Sequence, residues 1–261
     1  MRRLTQLEYD NTLRDLLGET TATGAALLPG DTRVPFDNDY RSQTPSRALI
    51  EAADLASQDV SGRLLAEVTR RNLVVGCTPS GPADVQCMRG FAQRFGLKAF
   101  RRPLTTEELD RYTAAGQAIA ADEQDFYAGV DTLVRAFLES PKFLYRLEIG
   151  SAIAASADVV VLDDWERASR LSYLLWGSMP DDALFAKAAA GTLSNPAELE
   201  AAAHEMLKHP RALEQIERFH AFWLGYERMS RDALRNAMRD ETGALLEKVI
   251  VTSKAPWLDL F

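Results

Sequence analysis

The sequence predicts an all-α protein, an irregular bundle of about nine or ten helices. Three observations carry that prediction. Apolar side chains recur at helical spacing along most of the chain. Three segments open on a capping box, TQLE at 5–8, TTEE at 105–108 and DDWE at 163–166, in which the first side chain accepts from the backbone N–H three residues on and the acid returns the bond. Only VVVL, residues 159–162, reads as extended, and so short a run does not found a sheet.

In the first helix Tyr9, Leu13, Leu16 and Leu17 form one stripe, and Gly18 stands where a helix stops. A polar loop rich in Gly, Pro and Asp runs to about Gln43. Leu49, Ala53, Ala56, Val60, Leu64 and Val68 then mark a long helix with an expected break near Gly62. Val85, Met88, Phe91, Ala92 and Phe95 give the next stripe, followed by Leu109, Tyr112 and Ile119, then by Phe126, Val130, Leu133, Val134, Phe137 and Leu138. After DDWE come Leu171, Leu174 and Leu175. Pro180 opens PDDALFAKAAA, Pro196 opens AELEAAAHEMLK, and RALEQIERFHAFWLG and DALRNAMRDETGALLEKVIV complete the series. The Ala/Ser-rich SAIAASADV at 151–159 is the expected linker between two helical subdomains, 1–150 and 151–261.

With 261 residues, 46% hydrophobic and 26% charged, the chain is long enough to build its own core. A net charge of −8 argues against nucleic acid and anionic membrane surfaces as partners. No apolar run approaches the ~18 residues of a membrane span. MRRL is followed by the polar TQLEYDNTLRD, so no signal peptide is read here.

Cys77 and Cys87 are the only cysteines, in CTPSGPADVQC. Gly76, Pro79, Gly81 and Pro82 make a loop tight enough to bring two sulfurs together in a disulfide, yet two reduced thiols buried in a helical core fit as well. A zinc site lacks nearby ligands, because His204, His209 and His220 lie far along the chain, and no Cys-x-x-Cys-His haem motif is present. No cofactor is expected.

Chemistry-bearing residues are sparse. His204 and His209, five apart, fall on different helix faces, and His220 sits in an aromatic stripe as a packed histidine. Ser140 and Lys142 offer a serine–lysine pair but straddle Pro141, a helix boundary. GDTRVPFDNDYR gathers Asp31, Asp37, Asn38 and Asp39, oxygen ligands of the kind calcium takes. The EF-hand spacing is missing, and turn formation explains the same residues. Asp181 and Asp182 follow Pro180 at a helix start, where the helix dipole accounts for both. Arg101 and Arg102 read as partners for Glu107 or another carboxylate, with an anion site as the alternative.

Several phrases together, RRLTQLEYDNTLRDLLG, FDNDYRSQTPS, FGLKAFRRPLTTEEL, SPKFLYRLEIG, LDDWERASRLSYLLWGSMPDDALFAKAAAGTL and FHAFWLGYERM, resemble a family of multidomain proteins of unknown function from planctomycetes and myxobacteria. Members often stand beside a planctomycete-type cytochrome c domain. The resemblance implies an extracytoplasmic protein (periplasmic, cell-surface or secreted), and with it a Cys77–Cys87 disulfide. It also implies an export signal and further C-terminal domains, so the chain reads as a fragment whose apolar end, Trp257, Leu258, Leu260 and Phe261, is expected to be exposed. The family supplies no catalytic residues.

Two functions follow from these residues and the resemblance. The first is a non-catalytic helical module whose partners are flanking domains of the same polypeptide or other proteins, linked to a cytochrome c redox system. The second is an extracytoplasmic enzyme acting on polymer or glycan, with acid and base among Asp31, Asp37, Asp39 and Asp181. A cleft holding two carboxylates within catalytic reach, at least one buried, would favour the second, and a packed interior with solvated acids the first.

Overall fold

The computed structural model describes residues 1–33, 36–41, 43–153, 156–230 and 232–260. Helix accounts for 68% and strand for 4%. Strand β1 (Arg2–Arg3) precedes α1 (Gln6–Leu17), α2 (Thr23–Leu27), α3 (Arg47–Ala66), α4 (Val68–Val75), α5 (Val85–Phe100), α6 (Thr106–Asp122), α7 (Phe126–Leu138) and α8 (Pro141–Leu144). Strands β2 (Tyr145–Arg146), β3 (Ser151–Ile153) and β4 (Ser156–Val161) then lead into α9 (Asp164–Trp176), α10 (Asp182–Ala189), α11 (Pro196–Leu207), α12 (Pro210–Leu224) and α13 (Ala233–Leu246). Thirteen α-helices among the described residues exceed the nine or ten expected, in part because α2 and α8 are too short to show a period.

All three capping boxes form, at Thr5 and Glu8, Thr105 and Glu108, and Asp163 and Glu166. The expected break at Gly62 is not there. Gly62 lies within α3, whose Ser57 and Ser61 hydroxyls donate to Glu139 and Asp131 of the neighbouring α7 region. These cross-helix bonds hold the helix through the glycine, and the chain turns instead at Glu67, extended between α3 and α4. Strands flank the expected linker, where β3 and β4 pair antiparallel with Ser151 opposite Val161 and Ala152 opposite Val160. A second pair, Arg2 opposite Arg146 and Arg3 opposite Tyr145, is too short to leave an alternating pattern in the sequence.

One core gathers Tyr9, Leu13 and Leu17 of α1, Val60 and Leu64 of α3, Met88, Phe91 and Phe95 of α5, and the apolar face of α7. Phe137 is its hub, with ring centroids 5.5 Å from Phe95, 5.2 Å from Phe100 and 4.1 Å from Tyr112. A second core joins Ala168 and Trp176 of α9 to Leu184, Ala188, Leu193, Ala202, Met206 and Ala212. Tyr173 and Met179, from the second half of the chain, belong to the first core. Several residues read as stripe members are exposed, among them Val68, Val85, Ile119 and Leu174.

Helix α6 shows why Ile119 fails. Its inward face is Thr113, Gly116 and Ala120, and Gly129 of α7 sits so close that an added Cβ would collide with the Gly116 carbonyl oxygen. Leu109 and Tyr112 pack against the core as the stripe predicts, but small residues set the contact farther along, and there apolar periodicity errs at Ile119.

Cys77 and Cys87 are joined by a disulfide with Cα atoms 5.9 Å apart, inside the ~7 Å limit for a bridge. Gly76 ends α4 at φ 69°, the chain turns through 78–84, and the Asp84 carboxylate caps α5 by accepting from Cys87 N at 2.9 Å. The bridge therefore pins the end of α4 to the first turn of α5.

This packing makes Gly129 and the disulfide measurable. Gly129→Ala should lower unfolding free energy by about 1–3 kcal/mol, because the collision is with backbone and cannot relax through a rotamer. Urea denaturation unchanged from the parent would contradict it. Reduction of Cys77–Cys87, or the double Ser variant, should cost about 2–3 kcal/mol by releasing a short loop in the unfolded chain. Intact mass should show no alkylated thiol until reductant is added.

Candidate functional site

The four carboxylates proposed for calcium or catalysis go to different partners. Asp31 accepts from Arg3 Nη2 at 2.7 Å and from Gln6 N at 2.8 Å, while Asp39 pairs with Arg41 at 3.0 Å. Asp181 caps α10 through Leu184 N at 2.8 Å. Asp37, buried, pairs with Arg218 of α12. Among the described residues, no group of three or more His, Cys, Asp or Glu is placed to hold a metal ion.

The three histidines lie in separate settings. His209 Nδ1 accepts from Arg211 N at 3.3 Å and caps α12. Buried His220 lies 2.7 Å through Nδ1 from the Ile216 carbonyl, and its Nε2 accepts from Trp257 Nε1 at 3.3 Å, so the proton sits on Nδ1. Exposed His204 stands 3.7 Å from Glu200. Ser140 caps α8 by accepting from Lys142 N. At the chain end Trp257 and Leu258 are exposed, 44% and 72%, and Leu260 is half-buried. Phe261 lies outside the described residues.

What the structure does bring together is a cleft of ~160 Å³ at the junction of the two cores. The N-terminal segment supplies Arg2 and Glu8, the loop before α3 supplies Phe36 and Asp37, and β2 supplies Arg146. Helix α9 supplies Tyr173 and Leu174, and α12 supplies Arg218 and Phe222. Glu8 is the N3 residue of the first capping box, which fixes its backbone, and its Oε2 accepts from Thr5 N at 2.9 Å. Burial pushes its carboxyl above the usual range. Arg146 and the Thr5 bond oppose the rise, and the nearby Asp37 charge adds to it. Burial likewise raises Asp37, against the pull of Arg218.

Glu108 fills the same capping position in α6 with the opposite result. Arg102 grips both of its oxygens at 2.9 Å, Lys142 adds a second cation, and its carboxyl is held well below the ordinary range, chiefly by Arg102. The expected pairing of the arginines with Glu107 thus falls on Glu108 for Arg102. Arg101 instead bonds the carbonyls of Lys142, Phe143 and Tyr145 and the hydroxyl of Tyr173. A cleft of ~350 Å³ opens beside this cluster, lined by Phe100, Arg102, Lys142 and Trp165.

Sequence reasoning missed the junction. Glu8 reads only as a cap, and nothing in the spacing of Arg146, Tyr173 and Arg218 marks them as neighbours of an acid 181 positions from Arg218. The cleft is made by docking, not by a local motif.

The two acids predict opposite pH behaviour. Glu8 has a raised value in the fold, so its contribution is present below the ordinary carboxylate range near ~4.3 and lost as pH rises through the folded value. Glu108 has a lowered value, so its contribution is present above that range and lost as pH falls through the folded value. Glu8→Gln, which preserves the cap, should flatten the loss of Tm on the rising-pH side. Glu108→Gln should flatten the acid limb and lower Tm at neutral pH. Thermal melts from about pH 3 to about pH 8, which bracket the ordinary carboxylate range, read both.

Three family models match the chain: a protein of unknown function (DUF1587) over residues 2–66, a protein of unknown function (DUF1595) over 87–148 and a protein of unknown function (DUF1592) over 162–261. No curated protein and no solved structure matches it.

Proposed function

We propose, from three successive segments that match models of unknown function, that the chain is a non-catalytic helical module of an extracytoplasmic multidomain polypeptide. Its task is to position flanking domains or protein partners. One observation supports this most: the segments matched by different models are locked together by a polar seam. Arg211 of α12 grips Asp15 of α1 at 2.7 and 2.8 Å, Ser178 donates to the same carboxylate at 2.5 Å, and Asn11 donates to the Gly177 carbonyl at 3.2 Å. A bidentate arginine–carboxylate pair fixes orientation as well as contact. The division into subdomains 1–150 and 151–261 is part of this proposal, supported by the two cores.

The disulfide supports an extracytoplasmic place, periplasmic, surface or secreted. No helix among the described residues is long and apolar enough to cross a membrane. The link to a cytochrome c redox system rests on the resemblance alone, and no haem ligands are assigned to this chain.

A second reading, an enzyme on polymer or glycan, is favoured by one specific observation. Glu8 and Asp37 line one cleft, both buried and both raised. A carboxyl raised by burial is the kind a general acid uses. The pair is then Glu8 and Asp37 in place of Asp31, Asp39 and Asp181. Release of reducing ends from a panel of neutral and acidic polysaccharides decides between the readings. The module predicts none above background from the parent, Glu8→Gln or Asp37→Asn. Release by the parent that both substitutions abolish would replace the module with the enzyme.

A further inference from the structure

Two arginines are almost wholly buried at the junction, and they are served very differently. Arg101, 3% exposed, has its guanidinium bonded to three carbonyls and the Tyr173 hydroxyl. Arg146, 5% exposed, has no comparable set. Among the described residues its guanidinium donates no hydrogen bond. Nε is buried without an acceptor, and the Glu8 carboxylate stands 3.7 Å from Nη2, beyond the ~2.7–2.9 Å of a charge-assisted bond. Its other neighbour is the face of Tyr173, 4.9 Å from the guanidinium carbon to the ring centroid. An unmet buried donor on a charged group is costly, and such a group needs an acceptor.

Three arginines, Arg2, Arg146 and Arg218, line the cleft against two carboxylates, Glu8 and Asp37. Arg2 lies directly opposite Arg146 in the β1–β2 pair, and both line the cleft. Like charges facing each other across strands destabilise the pair unless something neutralises them. Arg218 is already committed to Asp37. Glu8, with its raised value, is a poor neutraliser because burial disfavours its charged form.

We infer that Arg146, with Arg2 beside it, is the anchor of a binding site for a carboxylate ligand of about the size of one uronic acid. The planar guanidinium offers a carboxylate two parallel N–H bonds. Tyr173, Phe36 and Phe222 provide aromatic walls for the ring that bears it. The cleft of ~160 Å³ accepts one such residue rather than a long segment. This site does not depend on catalysis, since the cleft can hold an acidic sugar whether or not Glu8 and Asp37 act on it.

Titration of the whole chain with D-glucuronate, with D-glucose as the uncharged control, followed by NMR or calorimetry, tests the inference. Glucuronate should bind at least about tenfold more tightly than glucose, the value of a charge-assisted bidentate contact. Arg146→Met should remove that preference. Leu174→Glu guards against a folding artefact, because Leu174 lines the same cleft yet is 68% exposed, so the change leaves the cores intact. It should weaken glucuronate and leave glucose unaffected. Equal binding of the two sugars, or glucuronate affinity unmoved by Leu174→Glu, would overturn the site. Glucuronate binding without polysaccharide cleavage would support the site while leaving the module reading intact.

Discussion

The Arg101 guanidinium is the contact on which the rest of the arrangement depends. It closes α5 in the left-handed region at φ 58°, a conformation that costs a residue with a Cβ. Its side chain then collects the carbonyls that α8 and the start of β2 leave unpaired, and reaches the hydroxyl of Tyr173 on α9. That hydroxyl also bonds Thr12 of α1 at 2.8 Å. One buried cation thus joins α5, α8, α9 and, through a tyrosine, α1. A neutral side chain of the same length could not meet so many acceptors, and several carbonyls would be buried unpaired.

The carboxylates show how environment assigns roles to identical local motifs. Glu8 and Glu108 both close a capping box on a threonine, so sequence places them alike. Two cations in direct contact hold Glu108 ionised. Glu8, buried to much the same extent, meets its arginine only at 3.7 Å and shares its cleft with Asp37, so burial outweighs attraction. The distinction lies in who stands opposite, which is a property of the docked helices.

This is also why the sequence discloses the helices better than the site. Caps are encoded within four residues, and all three capping boxes appear where TQLE, TTEE and DDWE place them. The stripe of α7 is legible because each of its six apolar positions faces the core. Where small residues set the contact, as at Gly116 and Gly129, the apolar stripe that places Leu109 and Tyr112 correctly runs off the face at Ile119. Of the β3–β4 pair only the second strand shows in the sequence, as VVVL, because the Ala/Ser-rich stretch before it carries no pattern. The disulfide is within reach of composition and resemblance together, since the Gly/Pro loop permits it and the family's compartment favours it. The junction cleft lies beyond either, for it combines residues whose only relation is tertiary.

That tertiary origin has a consequence for any activity the molecule has. Arg146 comes from the strand that closes the first half, and its aromatic seat, Tyr173, comes from α9 of the second, where it is packed into the first core. Arg218 and Phe222 arrive on α12, a helix fixed to α1 by the Arg211–Asp15 pair about two and three turns before them. The cleft therefore exists only when the two halves are docked. An event that loosens the seam would disperse its walls and separate Arg218 from Asp37 at the same time. A ligand that contacted both halves would favour the docked arrangement by as much as its affinity for it exceeds that for the undocked one.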